Sequence, residues 1–356
     1  MLMEKEKPKK MKLGFYPYTY VRSNVMRTLL IKKEDYHKLM KMTFTEITRY
    51  LQESIYKTDI DKLATELSGT ELLEIALNRN LESSFEKLRR ISPKELNILI
   101  ENYLKRKDIE DIKTLMRGKY INADKNLIIN SLQAAGTLSM DYLKKLVELE
   151  SIQEILKNIK IFDFSEFKDP IMDFEEKNAL VSIENKLDQL YYQEILEFTK
   201  SLPVQGSLFK DFLLQEIEIK NLITLIRLKR EKLDKKDIRK YLFFSGDRDL
   251  DSNLNRLLDA DLGNIIKILE RRPYSKILES GFKDLNEKNS LINLEIGLYK
   301  YLLDKSILLQ HQNPLSIDVI LGYMFAKEIE VRNLKILVKG KQLNMTEEFI
   351  ENQLVV

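Results

Sequence analysis

One short segment of this chain occurs three times. Asp111-Ile112-Lys113-Thr114-Leu115-Met116-Arg117-Gly118-Lys119 returns 110 residues later as Asn221-Leu222-Ile223-Thr224-Leu225-Ile226-Arg227-Leu228-Lys229, and after another 112 as Asn333-Leu334-Lys335-Ile336-Leu337-Val338-Lys339-Gly340-Lys341. The second and third copies also agree upstream, Glu216-Ile217-Glu218-Ile219-Lys220 against Glu328-Ile329-Glu330-Val331-Arg332. The unit is longer than the roughly 20–50 residues of a solenoid repeat. It is about the size of a small helical bundle, and a chain of 356 residues holds three of them.

Other features keep the same spacing. Thr43 with Glu46 and Ser151 with Glu154 spell capping boxes, in which the N-cap hydroxyl accepts from the N3 amide and the N3 carboxylate accepts from the N-cap amide. Asp261 is the third member. Each precedes a helical apolar stripe, Ile47/Leu51, Ile155/Ile159 and Ile265/Leu269, and then an aromatic, Tyr56, Phe164 and Tyr274. A second series of caps, Asp124, Asp234 and Thr346, leads into Ile128/Leu132, Ile238/Leu242 and Ile350/Leu354.

The spacing therefore predicts three tandem helical modules, 29–137, 138–249 and 250–356, preceded by a tail and first helix over 1–28. In the first module helices are expected over 43–54, 71–90 and 92–119, the last opened by a capping box at Ser92-Pro93-Lys94-Glu95, with shorter ones from Asp124 and Ser139. Ile109, Ile112, Leu115 and Met116 form a one-faced stripe that has to be buried. Joints are expected at Leu202-Pro203-Val204-Gln205-Gly206, Ser245-Gly246-Asp247 and Asn313-Pro314. Periodicity alone does not choose among a rod, an arc and a closed body.

Composition points the same way. Only 11 Gly and 7 Pro occur, too few for the tight turns of a β-sandwich, so the expected class is all-α. Without cysteine, disulfides and thiol nucleophiles are excluded, and no oxidising compartment is needed. With 59 basic against 56 acidic residues, a general nucleic-acid binder is not indicated. The first ten residues carry charge where a signal peptide needs an apolar core, and nowhere do about 18 apolar residues run together. A cytoplasmic chain with a frayed Lys-rich tail is the expectation.

Little catalytic chemistry is on offer. There is no phosphate-binding Gly-x-x-x-x-Gly-Lys loop and no Gly-x-Gly-x-x-Gly. Glu34 and His37 have the Glu-x-x-His spacing of a di-iron ligand pair, but His311, the other histidine, has Leu308 where the second Glu belongs. No cofactor, metal or small-molecule substrate is expected. Adjacent carboxylates such as Glu175-Glu176 and Glu347-Glu348 diverge on a helix and read as solvated faces. Asp111, Asn221 and Asn333 read as side chains bonded to buried backbone. Arg117, Lys119, Arg227, Lys229, Lys339 and Lys341 recur near the end of one long helix per module. Their first reading is compensation of the helix dipole; the alternative is three basic clusters facing a partner.

Several stretches resemble a family. Tyr18-Thr19-Tyr20-Val21-Arg22-Ser23-Asn24-Val25-Met26-Arg27-Thr28-Leu29-Leu30, then Tyr36, Leu39, Leu51-Gln52-Glu53-Ser54-Ile55-Tyr56 and Tyr103-Leu104-Lys105-Arg106-Lys107-Asp108-Ile109-Glu110-Asp111-Ile112-Lys113-Thr114-Leu115 are similar to the C subunits of archaeal A-type ATP synthases, a family that includes the d subunits of V-type ATPases. The likeness extends over nearly the whole chain, and Gln133-Ala134-Ala135-Gly136 is a loose version of the family's apolar-Gly link. The resemblance implies a non-catalytic part of the central stalk, with three bundles closing into a funnel about a pseudo-three-fold axis. It further implies that the base sits peripherally on the proteolipid ring at the cytoplasmic face of the cell membrane, contacting the membrane through the ring only, and that the cavity receives the central stalk. Read from the residues alone, a helical scaffold binding proteins on a concave face and a cofactor-free enzyme working in an inter-module cleft stay open.

Overall fold

A computed structural model describes residues 14–203, 207–288, 290–312 and 317–356; the expected tail, part of the joint at 202–206 and the whole joint at 313–314 lie outside them. Among the described residues every regular element is helical. Three long helices dominate: Lys94–Tyr120, Ser207–Arg230 and Ile317–Gln342. Each contains one of the recurring segments.

The first long helix shows why these stretches are helices and why they are central. Leu96, Leu99, Ile100, Tyr103 and Leu104 recur at helical spacing and are buried, as are Ile109, Ile112, Leu115 and Met116. Arg106, Lys107, Asp108 and Asp111 are buried among them. Around Tyr103–Ile109 the helix is covered on nearly all sides and so has neighbours all round. The third long helix is covered in the same way: its residues from Ile317 to Val338 join the apolar core that includes Tyr36, Leu51 and Leu73, so the end of the chain packs on its beginning. Phe325 and Ile329 of the same helix join a second core, with Ile226, Leu258 and Leu298.

The ends of the long helices repeat in detail. Asn122, Lys232 and Asn344 each take a positive φ, 52°, 58° and 52°. The next amides, of Ala123, Leu233 and Met345, donate back to the carbonyls of Gly118, Leu228 and Gly340 at 2.9, 3.2 and 2.9 Å. This is the Schellman arrangement, which satisfies carbonyls that a helix end leaves bare. Ten residues after Gly118 and Gly340 come Ile128 and Ile350; a Cβ on either glycine would lie 2.5 or 2.7 Å from that isoleucine's side chain. Helices Lys125–Ser131 and Glu347–Glu351 are therefore docked by the missing methyl group.

The expected caps form unevenly. Thr43 completes its capping box, and Ser139, Ser151, Asp124 and Thr346 each accept an amide of their helix's first turn. Asp234 and Asp261 stand at N-cap positions without a side-chain cap bond. The box at Ser92 does not form. That serine lies in the turn closing helix Gly69–Arg90, and its hydroxyl donates to the Leu88 carbonyl at 2.7 Å, leaving Pro93 as the N-cap.

Side-chain bonds over 22 residues fasten the chain beyond each long helix. Asn221 donates to the Phe243 carbonyl at 2.7 Å and accepts its amide at 2.9 Å; Asn333 does the same with Val355 at 2.7 and 2.9 Å. Asp111, which has no donor, accepts the amides of Gln133 and Ala134 at 2.7 and 2.9 Å. The reading of these three as buried backbone partners holds. Farther down the chain, Ser245-Gly246-Asp247 is a turn with Gly246 at φ 77°, as expected for that joint.

Candidate partner-binding surfaces

Counting back from the recurring segments, residues 106, 216 and 328 hold equivalent places, and the three side chains meet. The Arg106 guanidinium donates to Glu216 at 3.1 Å and also to Glu328, and it stacks 4.1 Å from the Tyr103 ring centroid. All three charged groups are about nine-tenths buried or more. Lys107 adds contacts to Glu110 at 2.7 Å and Glu328 at 3.3 Å.

Beside this contact a cavity of about 650 Å³ opens among the long helices. Its walls are charged: Glu110, Lys220 and Arg332 stand at equivalent places one turn beyond Arg106, followed by Lys113 and Lys335. Lys113 is held by Asp188 at 2.6 Å. Burial, with the charge of Lys107 nearby, brings the Lys335 ammonium down to about 8. A space lined by charges of both signs suits a polar insertion better than an apolar ligand.

The recurring cations are tied within the chain. Arg117 makes a two-pronged bond to Glu184 on helix Val181–Lys200, both contacts at 2.6 Å. Arg227 holds Glu295 on helix Ile292–Gln312 at 2.7 and 2.6 Å. Lys339 lies 3.1 Å from Glu74 on helix Gly69–Arg90. Glu74, Glu184 and Glu295 are themselves spaced by about one repeat. Lys229 donates to the Leu258 and Ala260 carbonyls at 2.9 and 2.6 Å, at the end of helix Arg248–Asp259, and Lys341 donates to the Met40 carbonyl at the end of helix Lys33–Lys41. The two lysines thus meet the negative ends of neighbouring helices rather than their own. Lys119, partly buried, makes a smaller contribution to the charged form of Glu148, which is held below its usual range mainly by the Lys125 ammonium bonded to it.

Pairs of exposed apolar side chains that the sequence reading passed over sit beyond the same helix ends. Ile121 and Leu127 are 70% and 60% exposed, and Leu343 and Phe349, at the same offsets, 60% and 49%. The matching places in the middle repeat are Glu231 and Asp237. The signal was available: apolar residues outside the buried stripe, at constant offsets within the chain's own repeat.

Glu34 and His37 do not gather a metal site. His37 lies 3.7 Å from Glu351 at the surface, and the described residues contain no group of three or more metal-ligating side chains. The His311 side chain is outside the described ones. No helix among the described residues is long and apolar enough to cross a membrane.

Known proteins match this chain along almost its full length. The family model described as ATP synthase (C/AC39) subunit matches residues 20–353. The chain belongs to this family. The A-type ATP synthase C subunit of Methanococcoides burtonii is 38% identical over 342 residues, 96% of this chain and 94% of that protein. The C subunit of Methanosarcina mazei is 36% identical over 342 residues, 96% and 93% of the two chains, and that of Halobacterium salinarum 30% over 345 residues, 96% and 97%. As a C/AC39 family member the chain is a non-catalytic ATP synthase subunit.

Proposed function

We propose that the chain is a rotor part of an A-type ATP synthase, a collar of three homologous bundles, 29–137, 138–249 and 250–356, closed about a pseudo-three-fold axis. The observation that carries this reading is the cyclic order of the ion pairs. Arg117 reaches from the first repeat to the second, Arg227 from the second to the third, and Lys339 from the third back to the first. A rod or arc of three units has two such joints; a closed body has three. The meeting of Arg106, Glu216 and Glu328 supports the same axis.

In this reading one end of the collar sits peripherally on the proteolipid ring at the cytoplasmic face of the membrane, and the charged cavity receives the tip of the central stalk. The six recurring cations serve first as ties between bundles; docking of a partner on Arg117, Arg227 or Lys339 requires that partner to displace a carboxylate already in place. Exposed pairs are individually worth about 0–1 kcal/mol and are screened by salt, so firm attachment needs a broad interface of roughly 1,600 Å² or more. The exposed pairs Ile121/Leu127 and Leu343/Phe349 supply apolar anchors at its rim.

Copurification tests the assignment. Full-length tagged protein is expected to capture ring and stalk proteins from detergent-solubilised membranes at low salt, with progressive release as ionic strength rises. Absence of any binding to either partner at low salt would leave a helical scaffold as the better reading.

A further inference from the structure

The helix Pro17–Thr28 is inside out. Its buried face carries Thr19, Ser23 and Met26, two of them hydroxyl side chains that bond to carbonyls, Thr19 to that of Ile91 at 2.8 Å and Ser23 to that of Tyr20 at 2.9 Å. Its outer face carries Tyr18, Val21, Val25 and, just beyond, Leu29, at spacings of three and four residues and 64%, 55%, 52% and 53% exposed; Phe15, 79% exposed, continues the row. A surface helix ordinarily points such a stripe at the core. Contiguous exposed apolar surface of this kind marks an interaction site.

The charges beside the stripe say what covers it. No acidic residue occurs between Lys7 and Lys33, although the chain as a whole is nearly balanced at 59 to 56. Arg22, exposed, stands at the edge of the stripe next to Val21, whereas Arg27, Lys32 and Lys33 line a cavity shared with Lys300, Asp304 and Glu330. A second copy would bring the same cations against themselves, and the chain's own first residues carry further lysines, so neither is a good cover. A surface that is apolar in depth and anionic at its edge satisfies both features.

We propose that helix Pro17–Thr28 lies on an anionic lipid surface, with Phe15, Tyr18, Val21, Val25 and Leu29 in the acyl boundary and Arg22 among the headgroups. Aromatic rings and cations on one short amphipathic helix are the usual means of interfacial binding. This direct lipid contact goes beyond attachment through the ring and does not depend on it.

The chain contains no tryptophan, so a single Trp is a clean reporter. Full-length wild type is to be sedimented with vesicles of phosphatidylcholine alone and with about one-third phosphatidylglycerol, alongside V21D/V25D, whose helicity is checked by circular dichroism. Binding to the anionic vesicles is expected to be at least about tenfold tighter than to neutral ones and to fall by about tenfold or more in V21D/V25D. Val25→Trp should shift its emission to the blue on adding anionic vesicles. No binding of wild type to anionic vesicles, or equal binding of V21D/V25D, overturns the proposal. If V21D/V25D instead loses affinity for solubilised ring while wild type ignores vesicles, the stripe is a protein-docking face; the lipid proposal then falls and the rotor reading stands.

Discussion

Asp111 differs from Asn221 and Asn333 by lacking a donor, and the backbone it holds has changed to match. The Asn side chains each take one amide and one carbonyl of a single residue, whereas Asp111 is offered two amides, with Ala134 bent to φ 49° to present the second. Asp108 takes two amides farther on, of Thr137 and Leu138, both at 2.8 Å, and a Cβ on Gly136 would lie 2.0 Å from its oxygen. That contact explains the glycine in the Gln133–Gly136 link. Burial pushes the Asp111 carboxyl up to about 7 despite the two amides. Because its folded value exceeds the usual unfolded one near 3.9, its contribution is full below about pH 4 and is lost as pH rises through 7. The stability of wild type relative to Asp111→Asn should therefore fall between about pH 4 and 7, by at most about 4 kcal/mol at roughly 1.4 kcal/mol per unit. Urea unfolding at several pH values checks this; a difference independent of pH would mean that Asp111 stays ionised throughout. The sequence signals that these three positions bond to backbone, because their recurrence ahead of a buried stripe has few other causes. It does not signal the exchange of one acceptor pair for another, since that depends on the path of a loop 22 residues away.

Packing of the short helices against the long ones depends on Gly118 and Gly340, the second copy having Leu228 at that place. Ala is a better helix former than Gly by about 1 kcal/mol, yet overpacking costs about 1–3 kcal/mol. Gly118→Ala and Gly340→Ala are expected to lower the melting temperature. The loss should shrink when Ile128→Ala or Ile350→Ala is already present, a coupling that double-mutant cycles measure. Additive effects would show that the short helices move aside freely. Element positions were largely legible, because caps and apolar spacing are local. Ser92 shows the limit: a sequence fitting a capping box also fits a hydroxyl turned back onto the preceding helix, and burial of that turn decides for the latter.

On the scale of the whole molecule, the sequence announces three copies but not their arrangement, since Glu74, Glu184 and Glu295 are ordinary acids in charge-rich helices. Arg227 is more than half exposed and Glu295 one-fifth, so each tie is weak alone. Reversing Arg117, Arg227 and Lys339 to Glu should destabilise the free protein by about 1–3 kcal/mol, and adding Glu184→Arg, Glu295→Arg and Glu74→Lys should return most of it. Unchanged stability with lost assembly would instead assign these cations to a partner. The contact of Arg106 with Glu216 and Glu328 has a consequence for ancestry and design alike. Three identical repeats would put three guanidinium groups, or three carboxylates, into one largely buried spot, where like charges repel strongly. Once one copy holds the cation and two the anions, the first copy can no longer stand in for either of the others, while the second and third stay interchangeable at this spot; a single buried side chain sets the first repeat apart.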